Sequence, residues 1–266
     1  MILHESVLPF YFGYPGKQLF GCYHRPRSAK KPVVVICQPI GHEYINSHRA
    51  LRRLAARLCG AGFATLRFDY YGCGDSGGDA EEGRIPEWLD NISTAIAEAK
   101  GRSGADQVCV VGLRLGAALS LMASAKREDI ASMVLWDPVV VGRNYLKELI
   151  ALRKQTLRFR PIRNSQAFEA DPDLLGFSLS SFLFSELENL DLIKIPLGPA
   201  KNIFLLQTGQ AGGESRLQDH LAKTERSFEY RCLDAPKSWL PSEDGSLLVP
   251  VQMLNAIVSW ISRVHL

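Results

Sequence analysis

Short apolar runs alternate along this chain with longer stretches whose apolar residues recur every three or four positions. Residues 7–12 and 17–24 are aromatic-rich and β-prone, and Gly13-Tyr14-Pro15-Gly16 between them is turn chemistry, so an antiparallel hairpin is predicted at the start. Residues 33–37 form an unbroken apolar run, as expected of a strand covered on both faces. After a loop over residues 38–43, Ala50, Leu51, Leu54, Ala55 and Leu58 fall at helical spacing, with Ser47 as the expected N-cap and Gly60 or Gly62 at the close. The alternation continues with a strand at 63–68, a helix carrying Pro86 in its first turn and running to about Lys100, and a strand at 107–111. A helix at 117–125 and a strand at 131–136 complete this series.

Strand and helix in strict alternation imply right-handed crossovers and a mostly parallel sheet, an α/β fold. The rhythm breaks over residues 142–192, which are rich in Leu and Phe, with basic residues at one end and Glu186, Glu188 and Asp191 at the other. This segment is expected to be a mainly helical cap inserted into a core made of residues 1–141 and 193–266. The parallel pattern resumes with a strand at 202–207, a helix near 215–223, a strand at 228–233 and a closing helix from about Leu247 to Val264.

Two loops narrow the fold. Asp69-Tyr70-Tyr71-Gly72-Cys73-Gly74-Asp75-Ser76 follows one buried strand, and Gly112-Leu113-Arg114-Leu115-Gly116 lies between the next strand and its helix. With the order of elements, these loops resemble the α/β-hydrolase superfamily over most of the chain, in its serine-aminopeptidase-like and lysophospholipase-like branch. The first is similar to that branch's D-x-x-G-x-G-x-S loop. The second stands where its members carry the nucleophile elbow G-x-S-x-G, whose glycines permit a strained turn from strand to helix.

The resemblance implies a nucleophile at position 114, where this chain has arginine. A guanidinium is always protonated and has no lone pair, so it serves as neither nucleophile nor base. After the seventh strand, where an acid is implied, the chain reads Gln207-Thr208-Gly209-Gln210, without a carboxylate until Glu214. After the eighth, where a histidine is implied, it reads Leu233-Asp234-Ala235-Pro236-Lys237-Ser238-Trp239. The one later histidine, His265, is expected at the surface of the closing helix.

A first reading is therefore a hydrolase-fold protein without the Ser-His-Asp triad. It would bind or transform a small, anionic or acyl-type ligand in the former active-site pocket. Arg114 would face that pocket, beside the amides of Leu115 and of the Ile40, Gly41 and His42 loop as the remnant of an oxyanion hole. Asp137 is the first-choice ion-pair partner of Arg114, and Ser238 lies on the loop where the base is implied. A second reading is an esterase or thioesterase with a relocated nucleophile, Cys73 or Ser76, working with His42. A third is an interaction subunit using the 142–192 segment; exposed apolar area there would favour it, and a deep pocket beneath would favour the first.

Bulk properties restrict rather than select. Of 266 residues, 46% are hydrophobic and 22% charged, which suits a single globular domain of this size. A net charge of +3, with basic runs at 25–31 and 154–163 short and separated, points away from nucleic acid. Six cysteines without a C-x-x-C pair read as free thiols in a reducing compartment, and the opening residues lack a signal-peptide pattern, so a cytoplasmic protein with no membrane span is expected. His42, Glu43 and His48 do not have metal-ligand spacing, and neither metal nor cofactor is expected. The partner expected is a small molecule; the oligomeric state is open.

Overall fold

A computed structural model describes residues 6–158, 177–209, 215–224, 226–242 and 245–265. Eight strands form one sheet in the order β1-β2-β4-β3-β5-β6-β7-β8. The predicted hairpin is β1 (Ser6–Tyr14) and β2 (Lys17–Arg25), paired antiparallel, and β2 runs antiparallel to β4 (Phe63–Phe68). From there the sheet is parallel through β3 (Lys30–Cys37), β5 (Val108–Leu113), β6 (Ile130–Trp136), β7 (Asn202–Thr208) and β8 (Ser227–Leu233). Every residue of β4 and β5 is buried, Thr65 and Arg67 of β4 included, as expected of inner strands covered by helices on both faces.

One face is covered by α1 (Gly41–Gly60) and α7 (Val251–Val264). Leu51, Leu54 and Leu58 of α1, and Leu254, Ile257 and Trp260 of α7, pack there on Ile36, Val111 and Phe204 of the sheet. The other face carries α2 (Ile85–Ser103) and α3 (Leu115–Ser124), whose Trp88, Ile92, Ala118 and Leu119 pack on Val33, Val35 and Val110. Between β6 and β7 the described residues contain α4 (Gly142–Arg158) and α5 (Ser181–Glu188), and α6 (Ser215–Ala222) joins β7 to β8. Glu186 of α5 accepts hydrogen bonds from Arg84 Nε at 2.6 Å and from the Ile85 amide at 2.7 Å, fastening α5 over the start of α2.

Two helix starts differ from the sequence-based expectation. The closing helix begins at Val251 rather than near Leu247. More consequentially, α1 begins at Gly41, with Ile40 in the N-cap position, and Ser47 is not a cap: its hydroxyl donates to the Glu43 carbonyl at 2.7 Å, one turn back within the helix. The apolar repeat starts only at Ala50 because the first turn of α1 faces the site rather than the core, and there polar side chains replace apolar ones.

Candidate functional site at the carboxyl edge of the sheet

Arg114 sits at the turn from β5 to α3 with φ 54° and ψ −120°, a region that side-chain-bearing residues rarely enter. Two glycines make the turn possible through closeness. A Cβ on Gly112 would lie 2.3 Å from Ala117 Cα, and one on Gly116 would lie 2.2 Å from the Cys37 carbonyl oxygen. The first turn of α3 is thereby pressed against the end of β3, which brings residues 38–43 to Arg114. The backbone is tied on both sides: the Arg114 amide donates to the Trp136 carbonyl at 3.0 Å, and the Arg114 carbonyl accepts from the Val139 amide at 3.3 Å.

The guanidinium is almost enclosed, with 11% of the side chain exposed. Its Nε donates to Glu43 Oε1 at 2.9 Å, from the first turn of α1, and an Nη donates to Glu148 Oε2 at 2.6 Å, from α4. The rings of Tyr145 and Trp239 lie 5.4 and 5.1 Å from its central carbon. The hydroxyl of Tyr145 donates to the second Glu43 oxygen at 3.1 Å, completing that carboxylate. Burial alone would disfavour the charge, but Glu43, Tyr145 and Glu148 outweigh it and raise the Arg114 pKa above its usual value. Burial acts oppositely on the partner, pushing the Glu43 carboxyl up against the pull of Arg114 and the Tyr145 hydrogen bond.

Asp137 is not the ion-pair partner of Arg114, correcting the expectation above. It too has a positive φ, 44°, at the end of β6, and this turn aims its carboxylate along the sheet to β7. Its oxygens accept from the Thr208 amide at 2.9 Å and the Thr208 hydroxyl at 2.5 Å. Burial raises its pKa from 3.8 to about 6, opposed by these bonds and by the more distant Arg114 and Lys237 charges. Adjacent strand ends do converge on one edge, but Glu43 reaches the guanidinium because the helix start places it there.

The remaining residues are distributed around this ion pair. Ile40 caps α1, Gly41 opens it with φ 59°, and the Leu115 side chain is fully buried at the start of α3. His42 Nε2 and Ser238 Oγ are buried without a hydrogen-bond partner among the described residues. Burial, and then the neighbouring Arg114 charge, lowers the His42 pKa from 6.5 to about 4, so the ring is neutral at pH 7. Trp239 next to Ser238 is what the β8 loop contributes to Arg114. His265 is half-buried rather than a free surface residue: its Nε2 lies 2.7 Å from Ser132 Oγ near the amino end of β6, the opposite edge of the sheet.

The two relocated nucleophiles have other commitments. Ser76 Oγ donates to the Asp69 carbonyl at 2.6 Å and accepts from the Phe20 amide at 2.8 Å, so it ties a turn together. Asp69 is the centre of that turn, accepting from Gln38, Tyr44 and the Asp75 amide. Burial pushes the Cys73 thiol up to about 12, far from the thiolate that a nucleophile requires. All six cysteines are free.

Two cavities share Tyr145 as a wall, and Arg114 lines one of them. A polar one of about 110 Å³ is lined by Arg114, Asp137, Asn144, Tyr145, Glu148 and Gln207. An apolar one of about 150 Å³ lies between the Ile40–Tyr44 turn, the Gly72–Gly74 loop, Trp88 and the helices α4 and α5. Among the described residues there is no group of three or more His, Cys, Asp or Glu side chains that could hold a metal ion, and no helix long and apolar enough to cross a membrane.

Comparison with known proteins agrees with this geometry. The chain resembles Est1E from Butyrivibrio proteoclasticus, solved with ferulic acid, at 17% identity and a TM-score of 0.63, covering 96% of this chain and 97% of that one. It is similar to an esterase from Pyrococcus furiosus at 16% identity and a TM-score of 0.62, covering 98% and 89%. DcsB, solved with a substrate analogue, is similar at 13% identity and a TM-score of 0.67, covering 98% and 99%. At these identities the likeness establishes the α/β-hydrolase fold. No curated protein is significantly similar in sequence. Residues 28–174, more than half of the chain and including the whole β5–Arg114–α3 turn, match the serine aminopeptidase S33 family, and the chain belongs to that family.

Proposed function

We propose that this chain is a hydrolase-fold protein that has given up serine hydrolysis and binds, or transforms without hydrolysis, a small acyl-type or anionic molecule beside Arg114. The observation that carries this reading is the occupant of the β5–α3 turn: an arginine whose charge is already matched by Glu43 and capped by Tyr145 and Trp239. Such a side chain fills the position from which a nucleophile would attack, and it has no lone pair to attack with. The same neutralisation weighs against the anionic version, because Glu43 and Glu148 compete for the guanidinium that an anion would need, and the acyl-type version is favoured. In this reading residues 142–192 act as a cap, supported by the apolar cavity beneath α4 and α5. A second use of that segment, as an interaction surface, draws on Phe182 and Phe184, exposed by 63% and 40%, although the Arg84 guanidinium already stacks on Phe182 at 4.6 Å.

A fluorophosphonate probe followed by peptide mass spectrometry tests the proposal. No serine should be labelled stoichiometrically, since the β5–α3 turn carries no hydroxyl and the one serine described beside a histidine, Ser132 next to His265, is fully buried at the opposite edge of the sheet. Labelling of one serine with concomitant loss of an esterase activity would overturn it, and ester hydrolysis that vanishes in Cys73→Ala would establish a relocated nucleophile instead.

A further inference from the structure

Arg49, Arg52 and Arg53 fall three and four positions apart in α1, which puts them on one face of the helix. That face does not look only into water. Across a cavity of about 330 Å³, larger than either cavity beside Tyr145, it meets the opening hairpin at the cross-strand pair of Val7 and His24. Ala56 completes the lining, which contains no carboxylate and shares no residue with the two cavities of the Arg114 site. Among the described residues none of the three arginine side chains has an ion-pair or hydrogen-bond partner. Arg57, on the same helix but outside the cavity, differs in donating to Asn255. Next to His24 lies a fourth guanidinium, that of Arg67 in β4, which is 8% exposed. Its Nε donates to His24 Nε2 at 3.4 Å, and it too has no ion-pair partner among the described residues. Burial lowers the Arg67 pKa, Cys22, Asp69 and Tyr44 oppose this, and the Arg52 charge adds to the lowering, so Arg52 and Arg67 lie within electrostatic reach of one another. Asp69 itself is committed to Gln38, Tyr44 and the Asp75 amide. Like charges gathered on one helix face repel, and a buried charge without a counter-charge is costly. An anion in the cavity relieves both.

We infer that this cavity is a binding site for a small soluble molecule bearing a phosphomonoester or pyrophosphate group, held by the guanidiniums of Arg49, Arg52 and Arg53. The site is separate from the one at Arg114, and neither reading depends on the other. Phosphate is preferred to carboxylate because three guanidinium forks on one helix face need more acceptors than the two oxygens of a carboxylate, and a phosphomonoester presents three. The choice of arginine at all three positions suits the same group, since a planar fork grips phosphate bidentately and an ammonium does not. A small molecule fits better than a polymer, because the arginines surround one recess of small-molecule size rather than a stripe along the surface.

Calorimetric titration at pH 7 and fixed ionic strength with pyrophosphate, orthophosphate and acetate tests the inference on the wild type, Arg52→Gln, Arg57→Gln and the triple variant Arg49→Gln/Arg52→Gln/Arg53→Gln. Pyrophosphate should bind the wild type most tightly, and acetate about tenfold or more weakly than orthophosphate, the worth of one charge-assisted hydrogen bond. Arg52→Gln should weaken pyrophosphate by about tenfold or more on the same ground, and the triple variant should not bind it. Arg57→Gln removes the same unit of charge outside the cavity and should change the affinity by less than about twofold, since salt screens a charge that makes no contact. The three cavity arginines are exposed, so the triple variant should fold, with a urea midpoint in the absence of phosphate no lower than that of the wild type. Equal losses in Arg52→Gln and Arg57→Gln, or pyrophosphate binding that survives the triple variant, would overturn the inference. Acetate binding as tightly as orthophosphate, or no binding of either phosphate, would do the same. Co-sedimentation with phosphatidylcholine vesicles containing phosphatidic acid, lost in the triple variant and unaccompanied by binding of free pyrophosphate, would overturn it in favour of a lipid headgroup.

Discussion

Glu43 and Glu148 hold the same guanidinium, yet burial makes their contributions unequal. The Glu43 side chain is 2% exposed and that of Glu148 is 60% exposed. Removing the buried partner strands a charge out of water, and Glu43→Gln should cost about 3–5 kcal/mol. Glu148→Gln should cost less than about 1 kcal/mol, because water takes its place. Urea denaturation of the two variants checks this, and equal losses would mean that Arg114 is not held mainly through α1. Arg114→Ser should not produce a working esterase, whether or not Glu43→Gln is added to relieve the orphaned carboxylate, since a serine without a base stays protonated and weakly nucleophilic. Turnover of a p-nitrophenyl ester by either variant would reveal a base already in place, with His42 as the nearest candidate. Position 114 was legible in the sequence because the G-x-x-x-G frame survives around it. Glu43 was not, because a carboxylate beside His42 reads as loop until the helix start is known.

At the scale of elements, the β5–α3 turn depends on two close approaches rather than on apolar patterning. Gly116→Ala should be costly, about 3 kcal/mol or more in chemical denaturation, since its Cβ would lie 2.2 and 2.5 Å from the carbonyl oxygens of Cys37 and Gln38. Gly101→Ala is the control: it is exposed near the end of α2 with nothing within 4 Å of the added atom. There alanine should stabilise by about 0.5–1 kcal/mol through helix propensity. A tolerated Gly116→Ala would mean that α3 can slide away from β3. Most element boundaries followed from period and punctuation, but α1 did not, since its first turn points into the site and breaks the apolar repeat there.

For the whole molecule, His42 and Asp137 set opposing dependences of stability on pH. The His42 pKa is lowered from 6.5 to about 4, so the unfolded chain binds the extra proton, and stability is lost as pH falls from 6.5 through 4. The Asp137 pKa is raised from 3.8 to about 6, so the folded chain binds the extra proton, and stability is lost as pH rises from 3.8 through 6. Relative to the wild type, His42→Gln should therefore resist acid better, by up to roughly 3 kcal/mol near pH 4, and Asp137→Asn should resist it less by a similar amount. Urea midpoints at pH 7, 5 and 4 test both signs, and parallel shifts of the two variants would contradict the assignment. Burial also lowers the pKa of half-buried His265, but that group is common to all three proteins and cancels in the difference.

By itself the sequence determined the α/β architecture, the order of strands and helices and the presence of an arginine at the turn between β5 and α3, because periodicity, turn residues and the glycine frame are local properties. Only the tertiary structure decided the partner of that arginine, since Glu43 lies 71 positions away in the chain and sequence carries no direct record of which side chains meet across a sheet edge. The neutral His42, the diversion of Asp137 to Thr208 and the division of the site into a polar and an apolar cavity arise in the same way. Each depends on burial and on the approach of segments distant in the chain, which fix pKa values and pairings that residue identity leaves open.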